Sequence, residues 1–218
     1  FETRFSPDTT LEEDLARRDL TINAIAYDEE KGIFIDPYHG QNDLKNKILK
    51  HTTEAFAEDP LRVLRLARFY TRYDDFIVAE ETKELCKKLI PEMKSLTEER
   101  VWKEIEKVFT EKKPSRFFYF LEEIGALKEI MPELAQLKDV PQSLQHHPEN
   151  CSFVHTMMVL DKASDLSVNL DKEKRTAVLF AALTHDLGKG ITPKEEGPRH
   201  INHEINGVPL VEKVCKRL

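Results

Sequence analysis

Two parts of the sequence bring together residue types that could do chemistry. The first pairs LARRDLT, with Arg17, Arg18 and Asp19, with EDPLRVLRLARF, with Glu58, Asp59, Arg62, Arg65 and Arg68. A solvated charged face is the plainer reading of such a stripe. On an ideal helix, however, Asp59 and Arg62 lie roughly 60° apart and one turn from each other, so both can address one planar edge. A carboxylate accepts from an exocyclic amine while a guanidinium donates to a ring nitrogen, which matches the Watson-Crick edges of cytosine and adenine together. Uracil and guanine present the reverse pattern and would leave mispaired polar groups costing roughly 1 to 3 kcal/mol each. Arg68 falls about half a turn from Asp59 and needs another target, such as a phosphate.

The second part is His155 with the adjacent His185 and Asp186, followed by His200 and His203. A lone histidine on an apolar helix is ordinarily a core residue. THDLGKG instead puts an imidazole and a carboxylate side by side at the end of AVLFAAL, a ligand mix suited to Mg²⁺, Mn²⁺, Ni²⁺ or Fe. Such a cation could lower the pKa of its bound water and polarise a phosphoryl oxygen.

The elements that must position these residues are mainly helical. LTINAIAYDEEKGIFIDPYHG predicts a β-ribbon, with Ile25 and Tyr27 before a turn at 28–32 and Ile33 to Ile35 after it; Thr21 to Ala26 is ambiguous between helix and strand. Beyond His51 the period is 3.6. Ala55 to Tyr73 predicts a helix, Ser95 to Glu98 fits a capping box before VWKEIEKVF, and Pro114 opens a helix that ends near Gly125. DVPQSLQHHPENCS is a break, placing a domain boundary at about 138–150. FVHTMMVLDKAS, KEKRTAVLFAALTHDLGKG and HEINGVPLVEKVCKRL predict three further helices, and there is no internal repeat. The single tryptophan, Trp102, is expected in a core.

With 218 residues, 33 Lys+Arg against 40 Asp+Glu, 7 Gly and 11 Pro, the chain is neither collagen-like nor disordered. No apolar run reaches membrane-helix length and FETRFSPDTT has no signal core, so a soluble, cytoplasmic protein is expected. Cys86, Cys151 and Cys215 have no metal spacing, and buried packing is expected for all three. The net charge of -7 bounds the average and not the local field that a nucleic acid would meet. The chain opens on Phe1 without a Met, which suggests a fragment.

RRDLTINAIAYD, GIFIDPYHG, EDPLRVLRLARF and ERVWKEI resemble the successive motifs of class II tRNA nucleotidyltransferases, the CCA-adding enzymes, and of the similar bacterial poly(A) polymerases. The resemblance runs from about residue 6 to 110. It implies that Arg18 and Asp19 contact the triphosphate and ribose of an incoming nucleotide. Glu58, Asp59 and Arg62 would be the amino-acid template that reads C and then A, and Arg65 and Arg68 would hold phosphates or stacked neighbours. Asp36 in DPYHG would organise the neck, and the helices with Arg100, Trp102 and Lys103 would support it and face tRNA. The family's GGxxRD loop, and the DxD pair whose carboxylates hold Mg²⁺, have no counterpart upstream of Arg17. The chain as written is therefore expected not to add nucleotides, whereas its parent does.

HPE followed by HTMMVL, then HDLGKGITP and the His200, His203, Glu204 run, resembles an HD-type metal-dependent phosphohydrolase, as joined to CCA-adding enzymes of Gram-negative bacteria. That implies His155, His185 and Asp186 as ligands of a divalent metal such as Ni²⁺ or Mn²⁺, and Lys189 as a phosphate contact. His200 and His203 would complete or replace a ligand, or lie at the surface or behind the ligands. The family's last Asp ligand is expected on a later helix, and no Asp follows Asp186. The expected architecture is mainly α: a small α/β remnant of a nucleotidyltransferase head over 1–50, a helical neck and body over 51–140, and a helical HD domain over 141–218. CCA addition is the leading activity, with 2′,3′-cyclic phosphodiesterase or phosphatase activity from the HD part; a poly(A) polymerase and a non-catalytic RNA-binding module are the alternatives. Partners would be tRNA, CTP and ATP, with no membrane and no DNA, and oligomerisation left open.

Overall fold

A computed structural model describes residues 9–143, 145, 148–193 and 197–218. Leu144, His146 and His147, inside the expected break, and the first eight residues lie outside the described ones. The chain divides into two compact units between Leu96 and Thr97. That division falls inside the helical block 51–140.

In the first unit α1 (Leu11–Ala16) is opened by a capping box: Thr10 accepts from the Glu13 amide and Glu13 reaches back to the Thr10 amide. Residues Thr21–Asn23 form one 3₁₀ turn, which resolves the ambiguous stretch before the ribbon. The ribbon forms as expected, β1 (Ala26–Asp28) antiparallel to β2 (Ile33–Ile35) with Tyr27 opposite Phe34. Its turn closes through Asp28, whose carboxylate accepts from the Lys31 amide at 3.0 Å, and through Gly32 at φ +66°, a conformation that favours glycine. Helix α2 (Gly40–Lys45) follows DPYHG. Asp36 accepts from the amides of Gly40 and Gln41 at 2.7 and 2.9 Å, so this acid fixes the start of a helix. Strand β3 (Ile48–Leu49) pairs in parallel with β4 (Ile77–Val78) on either side of α3 (Leu61–Arg72), and α4 (Glu80–Leu89) comes next. Leu20, Leu49, Phe56, Val63, Leu64 and Ala67 are wholly buried.

The second unit is helical: α5 (Glu98–Val108), α6 (Ser115–Glu123), the short α7 (Leu127–Ile130) and α8 (Pro132–Ala135), then α9 (Ser152–Leu166), α10 (Lys172–Thr184) and α11 (His203–Arg217). The Ser95 to Glu98 capping box does not form. Thr97 is the N-cap of α5 and its side chain makes no capping bond. Pro114 immediately precedes α6, and Gly125 follows its end at φ +82°, as the proline and glycine positions indicate. Phe117, Phe118, Phe120, Leu121, Leu160, Leu179 and Leu183 build the core. Trp102 departs from expectation: it is only partly buried and lines a cleft of about 580 Å³ with Phe180 and Cys215. Cys86 is buried, with its thiol pushed up to about 12 by burial, while Cys151 is partly buried and Cys215 exposed, so the packing role holds for the first alone. Among the described residues no helix is long and apolar enough to cross a membrane.

Candidate functional site

In the first unit the structure gathers the arginine-rich constellation around Asp19. This aspartate is buried, and it accepts from the Leu20 amide at 2.9 Å, the Asn23 amide group at 2.9 Å and Arg65 Nε at 2.7 Å, with Arg65 Nη2 also at 2.7 Å. Burial pushes its carboxyl up, but the charge of Arg65 and these hydrogen bonds outweigh that and hold it below the ordinary aspartate value.

Asp59 is not on the helix that the spacing argument assumes. It is extended, at φ -140° and ψ 106°, because the residue before a proline is disfavoured in the α region and Pro60 follows. Its Oδ1 accepts from the Leu61 amide at 3.1 Å, and α3 begins there. Arg62 donates through Nη1 to the Ala55 carbonyl and through Nη2 to the Arg17 carbonyl at 2.6 Å. That guanidinium thereby ties three separate pieces of chain together. Arg68 is buried, with its guanidinium carbon 4.6 Å from the Phe69 ring centroid. Arg18 and Glu58 lie at the surface, Arg18 paired with Asp14 at 2.7 Å and Glu58 with Arg17 at 3.5 Å.

In the second unit α9 carries His155, and α10 ends by delivering His185 and Asp186. His155, His185 and Asp186 each offer a ligand atom within 4.8 Å of the others, the one such group of three among the described residues. His203, at the start of α11, joins them, with Nε2 3.3 Å from Asp186 Oδ1. The approach of α11 depends on Gly188. A Cβ there would stand 1.9 Å from the His203 carbonyl oxygen, so only glycine lets the 3₁₀ turn Leu187–Ile191 pack against this helix.

The proton positions on these rings follow from their neighbours. His185 Nδ1 lies 2.8 Å from the Ala182 carbonyl and His203 Nδ1 2.7 Å from the His200 carbonyl; a carbonyl only accepts, so each Nδ1 carries the proton. His155 Nδ1 is 2.8 Å from Glu149 Oε1, and an ionised carboxylate imposes the same tautomer. Each neutral ring then carries its lone pair on Nε2. Two of these, on His185 and His203, point at Asp186 oxygens at 3.2 and 3.3 Å. Lone pairs facing a carboxylate repel unless positive charge sits among them, as a proton on the ring or as a cation. Lys189 supplies one positive charge: it is buried and donates to Asp186 Oδ2 and Gln142 Oε1, both at 2.7 Å. Burial raises the Asp186 carboxyl, but His185 and Lys189 outweigh it and hold it well below the usual carboxylate range. Burial lowers the His185 imidazole, yet Asp186 beside it leaves it above the ordinary histidine value. The donor set of imidazole nitrogens and one ionised oxygen therefore fits a divalent cation. His200 is turned away: it is buried and its Nε2 contacts the Pro141 carbonyl at 2.8 Å, while its own carbonyl holds His203.

Sequence reasoning misses Glu149. Six residues before His155 is no helical spacing, and the contact exists because the chain turns through Asn150 at φ +46° before α9 begins.

Three family descriptions match in succession: "Poly A polymerase head domain" over residues 2–50, "Probable RNA and SrmB- binding site of polymerase A" over 75–138, and "HD domain" over 152–218. A multifunctional CCA protein of Methylobacillus flagellatus is 50% identical over 220 residues, covering all of this chain and 52% of that protein. The chain is similar along its whole length to multifunctional CCA proteins. A second relative of the same name, from Mannheimia succiniciproducens, is 52% identical over 98% of this chain and 52% of its own length. The chain thus spans about half the length of the curated relatives it matches. Among solved structures, "The complex structure of CCA-adding enzyme with CTP" aligns at a TM-score of 0.62 and 24% identity, over 95% of this chain and 48% of that one. "Thermotoga maritima CCA-adding enzyme complexed with tRNA_CCA" aligns at 0.62 and 24%, over 94% and 48%. These likenesses concern the fold, which among the described residues is mainly helical with two small two-stranded sheets, as the sequence indicates.

Proposed function

We propose that this chain is the nucleotide-selecting and RNA-supporting part of a tRNA nucleotidyltransferase that adds C, C and A to tRNA 3′ ends from CTP and ATP, joined to a metal-dependent phosphohydrolase. The single observation that supports it best is the combination in one chain of head and RNA-binding matches with a convergent His155, His185 and Asp186 cluster. The cluster favours this reading over a poly(A) polymerase, which shares only the arginine-rich half. In this reading residues 1–50 belong to the catalytic head, 51–140 to the neck and body, and 141–218 to the phosphohydrolase.

Asp59 and Arg62 are the proposed readers of C and A, with Glu58 beside them. For this Arg62 must exchange its bonds to the Ala55 and Arg17 carbonyls for a base edge, which links base entry to movement of the segments it ties. Arg18 and Asp19 are assigned to the triphosphate and ribose, Arg65 orients Asp19, and Arg68 forms a further wall of the nucleotide site. Mg²⁺ would serve nucleotidyl transfer.

In the second unit His155, His185 and Asp186 are the proposed holders of a divalent cation such as Ni²⁺ or Mn²⁺, with His203 as an additional nitrogen. Such a cation would activate water and polarise a phosphate ester or 2′,3′-cyclic phosphate. Lys189 keeps Asp186 ionised and brings positive charge to where a phosphate would sit. The test is made on the full-length protein: His185→Ala should abolish phosphatase and cyclic phosphodiesterase activity while CTP and ATP incorporation into tRNA lacking its 3′ end survives. Loss of both together would contradict the division into two sites.

A further inference from the structure

The three imidazoles of the cluster are held by unequal partners. His185 and His203 are hydrogen-bonded to neutral backbone carbonyls, the exposed Glu204 carboxylate standing outside hydrogen-bond distance of His203 Nδ1 at 3.6 Å, whereas His155 is hydrogen-bonded to a largely buried carboxylate, Glu149 Oε1, at 2.8 Å. The Glu149 side chain is only 10% exposed and that of His155 22%, so water competes weakly for the contact. A charged acceptor on Nδ1–H makes a stronger hydrogen bond than a carbonyl, fixes the ring plane and pushes electron density toward Nε2. We infer that Glu149 is a positioning residue for the metal site: it selects the Nδ1–H tautomer of His155 and makes this histidine the strongest nitrogen donor of the cluster. The inference rests on the metal reading of His155, His185 and Asp186.

Glu149 lies on the turn before α9 and not on the helix that carries His155, so the site is built only when that turn is docked. An outer partner of this kind typically contributes about 10- to 100-fold in metal affinity.

The experiment compares the 218-residue chain with Glu149→Ala, Glu149→Gln and His155→Ala, using Ni²⁺ titration calorimetry and histidine-selective ¹⁵N NMR of the metal-free proteins. Glu149→Ala should bind Ni²⁺ about 10- to 100-fold more weakly, with His155 moving from the Nδ1–H toward the Nε2–H tautomer. Glu149→Gln, which keeps a neutral acceptor, should retain the tautomer and fall between the two; it carries the test alone if the alanine variant does not fold. An unchanged His155 tautomer or unchanged Ni²⁺ affinity in Glu149→Ala, while His155→Ala binds weakly, overturns the positioning role and leaves the metal reading standing. Unchanged Ni²⁺ binding in His155→Ala overturns the metal reading, and the positioning role with it.

Discussion

The arginine cluster of the first unit and the histidine cluster of the second unit are similar as sequence, each a concentration of charged or titratable side chains on apolar helices. Their structures differ in what remains available. Arg62 and Arg65 use their guanidinium forks on the Ala55 and Arg17 carbonyls and on Asp19, so much of the cluster's charge holds the fold. In the histidine cluster the Nδ1 positions are taken by Glu149, Ala182 and His200, and that leaves the Nε2 lone pairs free, those of His185 and His203 facing Asp186. A guanidinium has donors on every side and can become a structural hub. An imidazole has two nitrogens, and binding one of them aims the other.

That contrast is sharpest in how substitutions should divide between stability and binding. The largest effect is expected at Gly188. Adding a Cβ 1.9 Å from the His203 carbonyl oxygen forces the turn and α11 apart, so Gly188→Ala should cost about 3 kcal/mol in chemical denaturation and displace His203 from Asp186. Next comes Asp19→Ala. It removes a buried acceptor from Leu20, Asn23 and Arg65 and should lower stability by about 2 kcal/mol. His185→Ala, at a partly exposed ring, should cost less than about 1 kcal/mol in the same experiment while weakening Ni²⁺ binding by more than about 100-fold, beyond the effect of an outer-shell partner. Equal stability losses at Asp19 and His185 would erase the distinction between the two clusters. The smallest effect belongs to Arg18→Ala, whose pair with Asp14 is half exposed on both sides; it should stay within about 0.5 kcal/mol.

Acid sharpens the same comparison. The Asp19 carboxyl is depressed in the folded state, so its contribution is fully present above the ordinary aspartate value of 3.8 and is lost as pH falls through the lower folded value. Urea unfolding followed downward from pH 5 should therefore show the wild type losing stability below about pH 4, with a shallower loss in Asp19→Asn. Parallel curves would mean that Arg65 does not hold the charged form.

Much of the fold is legible in the sequence, for physical reasons that also explain the exceptions. The ribbon at 26–35, the helices around Phe117 and Leu179, and the start and stop at Pro114 and Gly125 follow from periodicity and from residues with one dominant backbone preference. The grouping of His155 with His185 and Asp186 also emerges, because two apolar helices carry them to a common end. Spacing alone misplaces Asp59 on a helix, although Pro60 beside it already argues for an extended residue. The pattern at Ser95 to Glu98 suggests a capping box that does not form, while the equally plain Thr10-Leu11-Glu12-Glu13 forms one. Residue type alone assigns Trp102 and Cys215 to a core, and it carries no information about whether a neighbouring wall exists. Glu149 and the hold of the His200 carbonyl on His203 depend on turns, at Asn150 and Asn202, whose positive φ values no hydrophobic pattern encodes.

The convergence of His155, His185 and Asp186 on one cation is tested most directly by diffraction from crystals of the chain soaked in Ni²⁺, with anomalous differences measured at the nickel edge. A single peak about 2.0–2.2 Å from His155 Nε2, His185 Nε2 and an Asp186 oxygen is expected, the range in which such ligands bind a comparable divalent ion. Nickel found only at the exposed Cys215 or on surface histidines, with this cluster empty, would contradict a metal role for it.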